Sequence, residues 1–425
     1  MDQVLTKNNT IHLLFLELVS ITPILIILGN VVPPMPIKIH HMGLGIIFLI
    51  MVWALISDPY KKWMLYVAGA YTIIQFTHEQ WYLKGLIDYF FGPFALLLLL
   101  DILVNQKLPK ATLQKYERRF YYLLWVPIGI AVLQYFNIMP IKFWNATYVN
   151  FAYFGSLAVP RPNGLLYHGS ELSVIICFAA LYQFFKKENN AVWMLLLIIA
   201  AAFMTYFKAL MGCVVLLFLY YIIFVNRGIL SQFKLISKKR LIFIIACVVL
   251  VVIGIAIQFF SVVYYYSGYI FPRDMLTGRG AIWNIYLERI KDFSLWNYLF
   301  GNGMGSSFDI FADYASADTW YLLAADPNAD TDYDTHNAVL SVFINSGIVG
   351  LGFLFFLFRM VWNQVKKWSP GASWNKTVFF GIFIVPLFTI GITIPIYENA
   401  IFWISLGFLI HRWKFYTDDE ETVET

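Results

Sequence analysis

The chain has 425 residues and a formal charge of +5; 60% of its residues are hydrophobic, 19% aromatic and only 13% charged, with a mean hydropathy of +0.68. Soluble domains carry about 25% charged residues, so this mixture excludes a monomer at ease in water. The apolar residues come in runs of about 17 to 22 bounded by charge clusters, the length that crosses roughly 30 Å of hydrocarbon, which excludes one large soluble core.

In lipid, a helix is the open-ended structure that satisfies its own backbone hydrogen bonds. The first apolar run, 11–29, ends without a small-residue cleavage pattern and continues into Val31-Val32-Pro33-Pro34; it is expected to be a retained helix rather than a removed signal. Further apolar helices are expected to start near residues 42, 63, 86, 120, 171, 191, 209, 241, 337, 377 and 396, which makes twelve. Cys177, Cys213 and Cys247 fall inside these runs, where a thiol behaves as a small hydrophobe, so no disulfide is expected. Two links, 137–170 and 262–336, are far longer than the others, and connections of that length are uncommon unless they do something.

Lys and Arg concentrate on cytoplasmic links. The clusters are Lys61-Lys62; Lys107, Lys110, Lys115, Arg118 and Arg119; Lys186-Lys187; Arg227, Lys234, Lys238, Lys239 and Arg240; and Arg359, Lys366, Lys367 and Lys376. With twelve helices these are the second, fourth, sixth, eighth and tenth links, all of one parity. The expectation is therefore an all-α polytopic membrane protein, 1–425 as one integral-membrane domain, with both termini cytoplasmic. The 137–170 link is then the first long extracytoplasmic loop, and 262–336 is a large one between the ninth and tenth helices. The charge excess belongs to the loops, and nucleic acid is not an expected partner.

Cations left on the outer side need a reason. Arg161 lies in Arg161-Pro162-Asn163-Gly164, Lys208 in the tight turn between the seventh and eighth helices, and Arg273, Arg279, Arg289 and Lys291 in the large loop. A guanidinium grips phosphate oxygens in pairs, and at a low-dielectric boundary the attraction is screened less than in bulk. Such a cluster suits a lipid-linked phosphate or diphosphate; side chains snorkelling to headgroups are the plainer alternative. His336 precedes Asn337 and a long helix expected over Ala338 to Phe358. An imidazole there can take a hydroxyl proton at neutral pH, or merely cap the helix.

Asp326, Asp330, Asp332 and Asp334 lack the glycine and closing glutamate of a calcium loop, so a solvated or sugar-contacting loop is preferred to a metal site. Gly301-Asn302-Gly303-Met304-Gly305 is no dinucleotide fingerprint, since no strand precedes it; a turn packed close to a neighbour is the simpler reading. Tyr264 to Tyr266, Tyr269, Trp283, Trp296, Trp320, Tyr321 and Tyr333 enrich the outer loops, as an interfacial belt or as platforms for sugar rings. Glu398 and Asn399 open the last helix, and an acid within a span tends to be functional or paired.

Leu276-Thr277-Gly278-Arg279-Gly280-Ala281-Ile282-Trp283, the glycines at 301 to 305, Thr335-His336-Asn337-Ala338 and Ser346-Gly347-Ile348-Val349-Gly350 follow one another in an order that resembles the O-antigen ligase and O-antigen polymerase superfamily. The motifs cover roughly 160–355, and the expected topology extends the likeness over nearly the whole chain. The resemblance implies a GT-C-type, metal-independent, inverting glycosyltransferase without a cofactor. It implies a bacterial cytoplasmic (inner) membrane location, an extracytoplasmic (periplasmic) active site and an undecaprenyl-diphosphate-linked glycan as donor. Carried over residue by residue, Arg161 and Arg279 would hold the diphosphate and His336 would orient or deprotonate the acceptor hydroxyl. Asn337, Trp283 and Glu398 would support them. Family members commonly carry Ser-Arg where this chain has Phe207-Lys208, so the charge survives and the two-pronged grip does not.

Polymerases and ligases share these motifs. The polymerase reading is preferred: repeats joined into O-antigen, capsule or exopolysaccharide, with a chain-length regulator as a further partner that this reading allows. A ligase would instead deliver the glycan to a lipid A core. The rival of another class is a glycolipid flippase or transporter, disfavoured because transporters carry polar groups near the midplane, whereas here the polar mass lies outside. A metal-dependent glycosyltransferase using the aspartates near residue 330 is the remaining alternative.

Overall fold

The computed structural model describes residues 7–31, 39–57, 62–78, 83–104, 107–141, 151–154, 157–166, 169–183, 191–205, 208–220, 279–304, 306, 310, 337–368 and 400–421. Most of these residues are α-helical: α1 (Lys7–Ser20), α2 (Thr22–Val31), α3 (Ile39–Ser57), α4 (Lys62–Gln75), α5 (Leu83–Val104), α6 (Lys110–Tyr135), α7 (Gly169–Gln183), α8 (Ala191–Met204), α9 (Lys208–Tyr220), α10 (Arg279–Lys291), α11 (Leu295–Phe300), α12 (Ala338–Trp368) and α13 (Ala400–Glu421). Each expected apolar helix within the described residues has a helix at its position; those starting near 241 and 377 lie outside them. The all-helix expectation meets one departure. Inside the 137–170 loop, β1 (Phe151–Phe154) pairs antiparallel with β2 (Leu157–Pro160), Phe151 opposite Pro160.

Two expected helices are not straight. The first run divides into α1 and α2, bent by 54°, where Pro23 cannot donate to the ladder. The long helix from Ala338 is interrupted at Gly347, whose φ of 62° and ψ of −161° are not helical. By length and composition, Ala338–Asn363 can cross a membrane, and the bent α1–α2 pair passes the same test as one span; the other apolar helices have 10–17 residues among those described.

The core is built around α5, α7 and α13. From Leu172 to Tyr182 α7 is buried on every side, the signature of a helix enclosed by neighbours. α5 and α13 run parallel and very close because two glycines admit it. A Cβ on Gly92 would stand 2.0 Å from Cδ1 of Trp403, and one on Gly407 would stand 2.9 Å from Cδ1 of Leu99. Small residues that let backbones approach are the usual device of helix pairs in lipid. Cys177 of α7 and Cys213 of α9 are buried free thiols, their sulfurs 3.6 Å apart.

Contacts near the helix ends fix their directions. At one end, Tyr71 late in α4 stacks on Tyr89 early in α5, and Gly164, just before α7, lies against Pro127 late in α6. Further along, Glu117 early in α6 meets Tyr182 late in α7 and His411 near the middle of α13. The first end therefore gathers the C-terminal parts of α4 and α6 with the N-terminal parts of α5, α7 and α13. Glu117 is 1% exposed and His411 fully buried; Glu117 accepts from the Tyr182 hydroxyl and lies 2.5 Å from His411 Nδ1, with Arg412 Nε 3.8 Å away. A buried charge persists where partners surround it. The sequence reading did not anticipate this cluster.

Candidate functional site

The large loop is anchored by two glycines that interlock. α11 is capped at its start by Ser294, whose hydroxyl accepts from Asn297 N–H at 3.2 Å, and it stops at Gly301, whose N–H bonds the Asn297 carbonyl at 2.7 Å. Gly301 has φ 82° and ψ −168°; like Gly347 it lies in a region essentially reserved for glycine. The need is mutual. A Cβ on Gly301 would lie 2.3 Å from Asn345 C and Ser346 N, and one on Gly347 would lie 2.4 Å from Leu299 C and O. Two stretches of bare backbone, 299–301 and 345–347, thus pass within contact distance, joined by the Asn302 N–H to Ile344 carbonyl bond at 2.6 Å. The turn suggested by the sequence at 301 to 305 does pack against a neighbour, and that neighbour is the break in α12.

This interlock ties α10 to α12. Asn302, buried, accepts on its Oδ1 from Arg289 at 2.7 Å and from Asn297 at 3.1 Å, so the last turn of α10 is fastened to the glycine turn. The assembly is seated on α4 and α5. The Tyr71 hydroxyl donates to the Ser346 carbonyl at 3.1 Å, and the Tyr89 hydroxyl to the Gly350 carbonyl at 3.2 Å. Gln75 Oε1 accepts from Met304 N–H at 2.7 Å, and Trp296 Nε1 donates to Thr77 Oγ1 at 3.2 Å. His78, just beyond, is buried, and desolvation holds its imidazole below the usual value.

Arg279 is the first described residue of α10, and Trp283, four residues on, is half-buried. Asn337 is the N-cap of α12: its Oδ1 accepts from Val339 N–H and Leu340 N–H, both at 3.1 Å. His336 precedes the cap and lies outside the described residues, as do Glu398, Arg273 and the aspartates 326, 330, 332 and 334. Lys208 is the first residue of α9. Lys208 stands in the first turn of α9, where the helix dipole disfavours a cation by about 0.3–1 kcal/mol.

Arg161, half-buried, stands on separate support. It follows β2 and enters the turn Asn163-Gly164-Leu165, which is bound to the end of α6 through Gln134. Gly164 has φ 65°, and its Cβ would meet the Pro127 carbonyl oxygen at 2.5 Å. The structure fastens the last turn of α10 to the break in α12 through the glycine turn, and the Arg161 turn lies at the same end of the bundle, at the close of α6. Sequence reasoning missed Gln134, Tyr71 and Gln75 and gave Asn302 no role beyond its turn. The available signal for the first three was a polar side chain near the end of an otherwise apolar run. Compared with known proteins, the chain matches no protein-family model and no curated protein.

Proposed function

We propose that this protein is a membrane glycosyltransferase of the bacterial cytoplasmic membrane that joins undecaprenyl-diphosphate-linked oligosaccharide repeats at the extracytoplasmic face, within the O-antigen ligase and polymerase superfamily that its motifs resemble. The observation that carries the proposal is the Arg161 turn, bound to the end of α6 at the same end of the bundle as the glycine interlock of α11 and α12. A guanidinium held there suits a diphosphate.

In the proposed reaction the acceptor hydroxyl oxygen attacks the anomeric carbon from the face opposite the diphosphate, and the bond to the diphosphate oxygen breaks with inversion. His336 takes the hydroxyl proton. Arg279 and Arg161 stabilise the charge that grows on the leaving diphosphate, which is the work a metal would otherwise do.

The twelve-span topology belongs to the same proposal. It is supported by the helix directions: every contact used above to orient the bundle joins residues that the charge pattern assigns to one side. It is supported too by exposed apolar side chains on adjacent α3 and α4, including Ile46, Leu49, Trp53, Ile56, Tyr66 and Ile73. A face of that kind marks contact with another apolar phase, here lipid.

The test is purified protein with a defined undecaprenyl-diphosphate repeat and a chelator. A ladder of products identifies a polymerase, and product only after addition of a lipid A core acceptor identifies a ligase. Arg279→Ala and His336→Ala are each expected to abolish extension without loss of expression; wild-type chain lengths in both would remove them from the mechanism. Translocation of the lipid without transfer would make the protein a flippase, and turnover lost to the chelator would favour the metal-dependent alternative.

A further inference from the structure

Arg161 reaches its position through a turn with an unusual interior. Gly164 and Leu165 are both left-handed, with φ of 65° and 61°, and for leucine that conformation is strained. Successive backbone N–H groups in such a turn converge and can form a nest for an anion. Here the nest is already filled. Asn163 N–H and Gly164 N–H both donate to Gln134 Oε1, at 3.0 and 2.9 Å, while Leu165 N–H donates to Asn163 Oδ1 at 3.0 Å.

The two backbone donors can meet only the oxygen of the Gln134 amide, which settles its orientation. Its nitrogen then donates to Asn163 Oδ1 at 3.2 Å and to the Pro140 carbonyl at 3.1 Å. Gln134 is 1% exposed, and both donors and both acceptor positions of its amide are engaged. Glutamate lacks the donors, and an aliphatic residue lacks everything. With its amides occupied, the turn offers an anion the side chain of Arg161 rather than the backbone.

We propose that Gln134 is a positioning residue that holds the Pro160–Leu166 turn on the end of α6 and so sets Arg161 for the donor diphosphate; the inference rests on the diphosphate reading of Arg161 given above. Its effect on the ligand passes through Arg161 alone, so the two residues must be coupled.

Two measurements on full-length protein in nanodiscs test this: hydrogen exchange at the amides of Asn163 and Gly164, and binding of undecaprenyl diphosphate. Gln134→Leu is expected to speed exchange at both amides at least tenfold and to weaken binding at least tenfold. Arg161→Ala weakens binding with the amides still protected, and the double variant binds no more weakly than Arg161→Ala alone. Should Gln134→Leu fail to fold, Gln134→Glu, which keeps the accepting oxygen but not the donors, carries the same coupling test. Unchanged exchange in Gln134→Leu, or additive losses of binding in the double variant, overturns this inference alone. A wild-type protein that does not bind undecaprenyl diphosphate, with the amides still deprotected in the variant, overturns the proposed function and this inference together.

Discussion

Replacing Gly347 with alanine tests the interlock most directly. The residue occupies φ 62° and ψ −161°, a region that costs a side-chain-bearing residue about 1–3 kcal/mol. The new Cβ would also arrive 2.4 Å from the Leu299 carbonyl carbon and oxygen. Those are backbone atoms and cannot turn aside, so the 299–301 strip must move, at about 1–3 kcal/mol of overpacking. Movement stretches the 2.6 Å Asn302 to Ile344 bond, worth about 1 kcal/mol. Together the loss is on the order of 4 kcal/mol, a large part of the roughly 5–15 kcal/mol that holds a folded protein.

Gly352, a few residues further along α12, is the matched control. Nothing lies within 4 Å of its would-be Cβ, and alanine in a helix interior gains about 0.5–1 kcal/mol over glycine. Thermal unfolding of detergent-solubilised protein is the assay, with glycan extension followed in parallel. Gly347→Ala is expected to lower the midpoint and abolish extension, whereas Gly352→Ala leaves both intact. Gly301→Ala should copy Gly347→Ala, and the double variant should lose less than the two single losses combined, since both break one contact. Equal behaviour of Gly347→Ala and Gly352→Ala would refute the reasoning.

Removing the carboxylate at Glu117 takes away the hydrogen-bond partner of the buried Tyr182 and His411 side chains and leaves Arg412 without its neighbouring carboxylate, and a buried polar group left unmatched costs about 1–3 kcal/mol. Glu117→Ala is expected to reduce folded yield sharply and Glu117→Ala/His411→Ala to recover part of it, measured by size-exclusion recovery; no recovery would show that the pair is not what the mutation disturbs. Burial depresses the His78 imidazole below its ordinary range, so the unfolded chain binds the extra proton first. Stability is therefore complete above about pH 6.5 and falls as the pH drops through the folded-state value. Unfolding midpoints taken between pH 5 and 8 should show this fall in the wild type and a weaker one in His78→Phe; parallel curves would exclude His78 as the source.

The sequence by itself determined what depends on neighbours along the chain. Run length and the spacing of Lys and Arg located the apolar helices, because a helix satisfies its backbone hydrogen bonds within one segment of the chain. Motif order drew attention to Arg161, Arg279 and the glycines. The tertiary structure decided what depends on residues far apart. A pair such as Ser346-Gly347 can kink a helix, but nothing along the chain says what the kink admits; only the tertiary structure brings the Leu299 carbonyl group against Gly347. Gln134 reads as one more polar residue near a helix end until the Arg161 turn closes around it. Glu117 and His411, 294 positions apart, are each an unwelcome polar group in an apolar setting when taken singly, and only their meeting makes either tolerable.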